Sequence, residues 1–93
     1  MNQPPTHKSK IAEAILKERY FQDHKWGTVA ANPHTLGEWI LLIKSELEEA
    51  KRALIKGGAG RDSVRSELIQ VAALCTAALE QHGLDDPHTE RQI

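Results

Sequence analysis

The sequence predicts an all-α protein whose chain folds into three antiparallel helices and completes a helical bundle by oligomerisation. Apolar residues recur with helical spacing in three segments, and the connections between these segments contain the Gly and Pro residues that end helices. At 93 residues the chain is one small domain, near the size at which a single core is marginal. We therefore expect a second copy to supply part of the buried surface.

The first helix is predicted from about Ser9, a candidate N-cap, to about Asp23, with residues 1–8 as a flexible N-terminus. In the connection "HKWGTVAANPH", Gly27 and the Asn32-Pro33 pair argue against a continuing helix. The apolar residues spaced for one face of this helix are Ile11, Ala14 and Ile15, with Tyr20 and Phe21 as further candidates.

A capping box marks the start of the second helix, because Thr35 is followed three residues later by Glu38. We expect this helix to end at "GGAG", where Gly57 or Gly58 can adopt the left-handed C-cap conformation. The capping box therefore places the start of this helix at Thr35.

The third helix can be capped by Asp62 or Ser63 and is predicted to run to about Gln81, with Gly83 as its stop. Because the connection "GGAGRD" is short, the second and third helices are expected to be antiparallel neighbours. The helical domain then spans residues 9–83, and residues 84–93 form a polar tail.

Composition argues against several classes of partner. The formal net charge is −1 with both signs interspersed, so the sequence has no basic surface for nucleic acid or for an anionic membrane. The longest apolar run, "WILLI", is far too short to span a bilayer. The N-terminus lacks the apolar segment of a secretory signal, and we expect a cytoplasmic protein. The lone Cys75 is expected to be a small buried thiol.

Carboxylates interrupt the apolar faces of the second and third helices. Glu46 and Glu49 prolong an apolar stripe of the second helix, and Glu67 and Gln70 do the same on the third. An antiparallel hairpin can bring these two pairs of oxygen ligands face to face. The apolar residues that share these faces are Trp39, Leu42 and Ala53 on the second helix, and Leu74 and Ala77 on the third.

Three clustered carboxylates repel one another, by about 4 kcal/mol per close pair at an effective dielectric constant near 20. Protonation or a neighbouring Lys or Arg can offset this repulsion. A hard cation, Mg²⁺ or Mn²⁺, can do so as well, and the amide oxygen of Gln70 can serve beside the carboxylates. The alternative is that the glutamates lie on a solvated helix face, where Glu is common.

The motifs "SELEE" (residues 45–49) and "ELIQ" (residues 67–70) resemble the EExxE and ExxD motifs of the MazG-like, all-α nucleoside triphosphate pyrophosphohydrolases. The segment "ERYFQDHKWG" is similar to one found in small phage and bacterial members, and so is "ELIQVAA". The resemblance covers roughly Glu18 to His82. Two positions depart from it. Ser45 stands where the family has Glu, and Gln70 stands where it has Asp; the second change removes one negative charge from the metal shell.

The resemblance implies a bundle completed by dimerisation, or by further pairing to a tetramer. It also implies a metal-dependent reaction that yields a nucleoside monophosphate and pyrophosphate. Glu46, Glu49 and Glu67 would then be catalytic, and together with Gln70 they would hold Mg²⁺ or Mn²⁺. By the same analogy Gln22, Asp23 and Lys25 could reach the substrate, although alone they are typical of a solvated helix end.

Trp26 could stack on a nucleobase or anchor its loop to the core. Two functions follow from these patterns. The first is a nucleoside triphosphate pyrophosphohydrolase that cleans the nucleotide pool. The second is a non-catalytic helical nucleotide-binding or interaction protein on the same scaffold, with Ser45 and Gln70 as marks of lost chemistry. The scattered His residues do not favour zinc, and "GGAGRDS" lacks the features of a phosphate-binding P-loop.

Overall fold

The computed structural model describes residues 6–85, apart from the side chain of Arg61. It contains α1 (His7–Trp26), α2 (Leu36–Lys56) and α3 (Val64–His82), with a short 3₁₀ helix at Gly60–Asp62 before α3. Residues 6–85 include no strand, so the predicted all-α class and the three helices are confirmed. Most of the predicted flexible N-terminus and of the polar tail lies outside the described residues.

The start of α1 corrects the predicted cap. Thr6, not Ser9, is the N-cap, and its hydroxyl accepts a hydrogen bond from the Ser9 backbone N–H at 3.1 Å. The Ser9 hydroxyl in turn accepts from the Thr6 backbone N–H at 2.8 Å. This reciprocal capping box places Ser9 inside the first turn, so the helix begins earlier than its apolar pattern indicates. The helix also continues past Asp23 to Trp26.

The remaining helix ends agree with the sequence. Thr35 and Glu38 form the predicted capping box, and Gly57 ends α2 with φ 70° in the left-handed region. Of the two candidate caps of α3, Ser63 is the one used, because its side chain accepts from the Ser66 backbone N–H at 3.1 Å. Gly83 follows the last residue of α3.

Helix α3 packs against both α1 and α2. Gln81, near its end, bonds to residues at the start of α2, whereas Glu67, near its start, lies beside Glu46 in the second half of α2. The two helices are therefore antiparallel, as predicted. Their shared core consists of Trp39, Leu74, Ala77 and Ala78, with Val29 and Ile43 packed against it.

This core is small for the number of apolar residues in the chain. No large side chain among residues 6–85 is completely buried, and about half or more of the surface of many Leu and Ile side chains is exposed. Cys75 is exposed as well, so the prediction of a buried thiol is wrong. The helical spacing placed Cys75 in an apolar stripe, but no part of residues 6–85 covers Cys75. None of the described helices is long and apolar enough to cross a membrane.

Candidate functional site

A cavity of about 400 Å³ opens beside the core. The helix α1, the connection between α1 and α2, and the facing sides of α2 and α3 all contribute to its wall. Its lining combines a polar side on α1 with an apolar side built from Trp39, Leu42, Leu74 and Ala77. Such a combination of apolar walls and a few convergent polar groups is typical of a small-molecule site.

The polar side of the cavity is a buried network on α1. Arg19 is only 5% exposed, and its guanidinium donates to Asp23 Oδ1 at 2.8 Å, to Gln22 Oε1 at 3.2 Å and to the Glu80 carboxylate. Gln22, which is 3% exposed, donates in turn to the backbone carbonyl of Gln70 at 3.5 Å. The network therefore connects the cavity to α3 at two places.

The carboxylate partners of Arg19 favour the charged form of its guanidinium. Burial by itself lowers the pKa of the guanidinium, but hydrogen bonds and Coulombic attraction from Glu80 and Asp23 outweigh it and raise the pKa above its ordinary value. The guanidinium is therefore charged throughout the physiological range.

The connection between α1 and α2 is fastened to the helices at both ends. At its start, Asn32 Nδ2 donates to the Trp26 carbonyl at 2.7 Å. At its end, Gln81 Oε1 accepts from the His34 backbone N–H and from Trp39 Nε1, both at 2.9 Å, while Gln81 Nε2 donates to the His34 carbonyl at 2.6 Å. These bonds hold this wall of the cavity against α2 and α3.

Gly27 allows the first of these attachments. Its φ of 86° ends α1 in a conformation that residues with a side chain rarely adopt. A Cβ at this position would also lie 2.5 Å from Asn32 Nδ2, in the space that the amide uses to reach Trp26. Gly27 therefore allows both the turn at the end of α1 and the Asn32 hydrogen bond that holds the cavity wall.

A cluster of carboxylates lies next to the cavity. Glu67 on α3 is buried, and its surroundings include Glu46, Glu49 and Asp62. Burial raises the pKa of Glu67, and so do repulsion by Glu46, a hydrogen bond with Glu46, and repulsion by Glu49 and Asp62. The hairpin thus brings together the three predicted glutamates, and it adds Asp62.

Glu46 belongs to both features, because it lines the cavity and also lies beside Glu67, whose pKa it raises. Glu49 is further from the cavity and forms an ion pair with Arg52. Gln70 is half-buried, and its Nε2 lies 3.5 Å from Ser66 Oγ. The predicted site residues on α2 and α3 therefore lie in one region, with Glu46 as the contact to the cavity.

The donor set suits a hard cation, because carboxylate and amide oxygens are the ligands that Mg²⁺ and Mn²⁺ prefer. Among residues 6–85, however, no group of three His, Cys, Asp or Glu side chains is arranged to hold a metal ion. The Glu49 carboxylate can bind an ion through its other oxygen, or through Oε1 if this oxygen leaves Arg52. An exposed ion pair of this kind contributes only about 0 to 1 kcal/mol, so this rearrangement is inexpensive.

The three predicted substrate-binding residues are separated by the structure. Gln22 and Trp26 line the cavity, whereas Lys25 is not part of its lining. The Lys25 ammonium lies 5.0 Å from the centre of the Trp26 ring and 6.0 Å from that of Phe21. Trp26 is 51% exposed, so its side chain is available at the cavity instead of being enclosed in the core.

Several cavity residues were not among the predicted site residues: Arg19, Asn32, His34 and Ser45. A signal exists for Arg19, because Asp23 follows it by one helical turn at the spacing of an ion pair. Its other partner, Glu80, is 61 residues away and gives no local signal.

No family model, curated protein sequence or solved structure matches this chain. The MazG-like resemblance of its motifs therefore remains a prediction.

Proposed function

We propose that the protein is a cytoplasmic, metal-dependent nucleoside triphosphate pyrophosphohydrolase that releases a nucleoside monophosphate and pyrophosphate. The observation that supports this most is the position of Glu46, which joins a cavity of nucleoside size to a cluster of carboxylates. A ligand with an aromatic base at one end and a polyphosphate at the other matches these two neighbouring environments. Removal of non-standard or excess nucleotides is the corresponding physiological role.

The nucleoside would occupy the cavity, where Trp26 offers an aromatic surface and the polar groups of α1 offer hydrogen bonds. The triphosphate would extend past Glu46 toward Glu67. Mg²⁺ or Mn²⁺, held by Glu46, Glu49, Glu67 and Gln70, would neutralise the triphosphate, which the carboxylates alone would repel.

In the reaction a water oxygen forms a bond to the α-phosphorus, and the bond from that phosphorus to the α,β-bridging oxygen breaks. Pyrophosphate leaves with this oxygen, and the proton of the water passes to a carboxylate. Glu67, the buried carboxylate of the cluster, would take this role.

A non-catalytic nucleotide-binding protein is the second candidate. It is favoured by Gln70, which brings no charge to the cluster, and by the ion pair that occupies Glu49. The cavity and its polar network would serve binding equally well in this case. The two candidates differ in whether pyrophosphate is produced.

Pyrophosphate release decides between them, measured over a panel of ribo- and deoxyribonucleoside triphosphates with Mg²⁺ or Mn²⁺. Wild type should release pyrophosphate and not phosphate, and Glu67→Ala should abolish turnover while circular dichroism shows intact helices. Glu13→Ala, which removes an exposed carboxylate of α1 that pairs with Lys17, is the matched control and should keep full activity. Equal rates for wild type and Glu67→Ala would refute the catalytic role, and activity found only in Gln70→Asp would favour the binding protein.

The proposal includes assembly as a homodimer, or as a homotetramer made of two dimers. Two rows of exposed or half-exposed apolar residues lie on the α2–α3 hairpin. Most residues in these rows directly follow a residue of the core-facing stripe in the sequence; for example, Ile40 follows Trp39 and Cys75 follows Leu74. The rows are Leu36, Ile40, Leu47 and Leu54 on α2, and Val64, Leu68, Val71, Cys75 and Leu79 on α3.

The two rows lie on the same side of the hairpin, because one residue rotates the side chain by about 100° and the same rotation on two antiparallel helices leads to the same side. We name this surface the outer face. Six of its Leu and Ile residues are each about half exposed or more: Leu36, Ile40, Leu47, Leu54, Leu68 and Leu79. A contiguous exposed apolar surface of this kind is typical of a protein–protein interface. A second copy covers this face by packing hairpin on hairpin, which is the symmetric arrangement of a four-helix bundle.

A further inference from the structure

The inward side of α1 is polar in the second half of the helix. Its buried residues are Glu18, Arg19 and Gln22; Asp23 is half-buried beside them, and the half-buried Ala14 and Ile15 are the apolar part of this face, one turn earlier. A helix that packs on a core normally buries an apolar stripe, and a buried polar group costs free energy unless it is hydrogen-bonded. The arrangement of Arg19, Gln22 and Asp23 therefore requires a reason other than packing.

We propose that Arg19 is a positioning residue that holds Gln22 and Asp23 in fixed orientations at the cavity; this inference rests on the proposed function for the identity of the ligand. Three of the five N–H groups of the Arg19 guanidinium are engaged by Glu80, Asp23 and Gln22, which fixes the plane of the guanidinium and with it the orientation of Gln22 and Asp23. Its effect on a ligand passes through the two side chains that it orients.

The orientation of the Gln22 amide is fixed from both ends. Its oxygen accepts from Arg19 and its nitrogen donates to the Gln70 carbonyl, so a flipped amide would lose both bonds. Asp23 is held by one carboxylate oxygen, and its other oxygen can accept from a ligand. A donor on Gln22 and an acceptor on Asp23 side by side match a hydroxyl or the edge of a nucleobase, and not a phosphate.

Only arginine can make all three contacts at once. The planar guanidinium places its Nε toward Glu80, one terminal nitrogen toward Asp23 and the other toward Gln22. A lysine ammonium carries the same charge at a single point and cannot span these directions. Arg19→Lys therefore separates the geometry of the network from its charge.

The experiment compares two ligands by calorimetry in the presence of Mg²⁺: a nucleoside triphosphate that the wild type binds, and inorganic tripolyphosphate, which lacks the nucleoside. Arg19→Lys should weaken the nucleotide about tenfold and leave tripolyphosphate unchanged. Ala12→Gly is the matched control, because it lowers the stability of α1 at an exposed site and contacts neither the network nor the cavity. It should change neither affinity.

A second readout does not depend on nucleotide binding. In the free protein, the side-chain amide signals of Gln22 in a ¹⁵N-correlated spectrum should be well dispersed and exchange slowly in wild type. In Arg19→Lys they should move toward the positions of exposed amides. If Arg19→Lys does not fold, Glu80→Gln is used instead; it removes one anionic partner at a side chain that is 45% exposed, and about a threefold loss of nucleotide affinity is expected.

The outcomes separate the two proposals. Equal nucleotide affinity in wild type and Arg19→Lys, or equal losses for both ligands, would overturn the positioning role, since a purely structural ion pair affects the whole fold. An unchanged Gln22 signal would overturn it too. Absence of nucleotide binding by the wild type would instead overturn the proposed function, and the Gln22 signal would still decide whether Arg19 holds that side chain.

Discussion

The cavity side and the outer face of the α2–α3 hairpin both depart from the usual rule that apolar residues are buried and polar residues are exposed, but they do so in opposite ways. On the cavity side, Arg19, Gln22 and Glu67 are buried although they are polar or charged. On the outer face, Leu47, Leu54 and Leu68 are about half exposed or more although they are apolar. Helix α3 contributes to both sides.

The buried polar residues and the exposed apolar residues are suited to different kinds of binding. A buried polar group must be hydrogen-bonded, and a network of such groups next to a cavity is suited to orient a small ligand. An exposed apolar surface with heptad-like spacing is suited to contact another helix pair. Under the proposed function, the ligand would lie on one side of the hairpin and the second copy on the other.

The largest expected effect comes from a charge on the outer face. Leu47→Asp would bury two carboxylates in the dimer, and we expect the dissociation constant to rise at least 1000-fold, since about 1.4 kcal/mol corresponds to a factor of ten. Leu41→Asp is the control, because Leu41 is 67% exposed on another side of α2. Light scattering at micromolar concentration should show a monomer only for Leu47→Asp. A wild-type protein that is a stable monomer would exclude the dimer.

Loss of the Gln81 contacts should open the cavity wall without disturbing the outer face. Gln81→Leu leaves the Trp39 indole N–H and the His34 backbone N–H without their acceptor, whereas the His34 carbonyl keeps its contact with His82 Nε2 at 2.8 Å; we expect a loss of about 2 to 3 kcal/mol in the free energy of unfolding. Gln81→Glu keeps an acceptor for both N–H groups and should cost less. Urea denaturation measures both; equal losses would show that the acceptor oxygen is not the important part.

Gly27→Ala tests the other attachment of the same wall. The positive φ and the contact with Asn32 both oppose a Cβ, so the substitution should destabilise by about 1 to 3 kcal/mol. Gly37→Ala is the matched control inside α2, where a Cβ meets only the Thr35 hydroxyl oxygen at 3.9 Å. It should stabilise the helix by about 0.5 to 1 kcal/mol. Thermal unfolding that shifted in the same direction for both variants would contradict this difference.

The smallest expected effect concerns the charge of Glu67. Its pKa in the folded state is raised above the ordinary 4.5, so the folded state retains the proton longer than the unfolded state as pH rises. Well below pH 4.5 Glu67 is protonated in both states and does not change the free energy of unfolding. As pH rises through the folded-state pKa, the free energy of unfolding falls. Glu67→Gln should therefore be more stable than wild type at pH 7.5 without metal, and equal to it near pH 4.

Added Mg²⁺ should reverse this order at pH 7.5, because an ion bound only by the folded state stabilises it. The wild-type melting temperature should rise, and Glu49→Gln should reduce the rise. Calorimetry that showed no divalent-ion binding, even with nucleotide present, would favour the solvated-face interpretation of these glutamates.

Much of the secondary structure could be predicted because its determinants are local. The boxes at Thr35 and Thr6 each involve residues three apart, and Gly57 acts on its own helix. The Thr6 box was missed because Ser9 is itself a good cap residue, and only the backbone shows which of the two is outside the helix. The grouping of Glu46, Glu49 and Glu67 was also predictable, since helical spacing and a short connection suffice to bring them together.

The sequence by itself determined three helices, most of their ends, the antiparallel hairpin and the acidic cluster, because each depends on spacing within a helix or across one short turn. Only the tertiary structure decided that Arg19 meets Glu80, 61 residues away, and that Gln22 reaches the Gln70 carbonyl, 48 residues away. It also decided that Cys75 is left exposed. Helical spacing shows which residues share a face, but which face is covered depends on where α1 packs, and that is set by contacts between residues far apart in the chain.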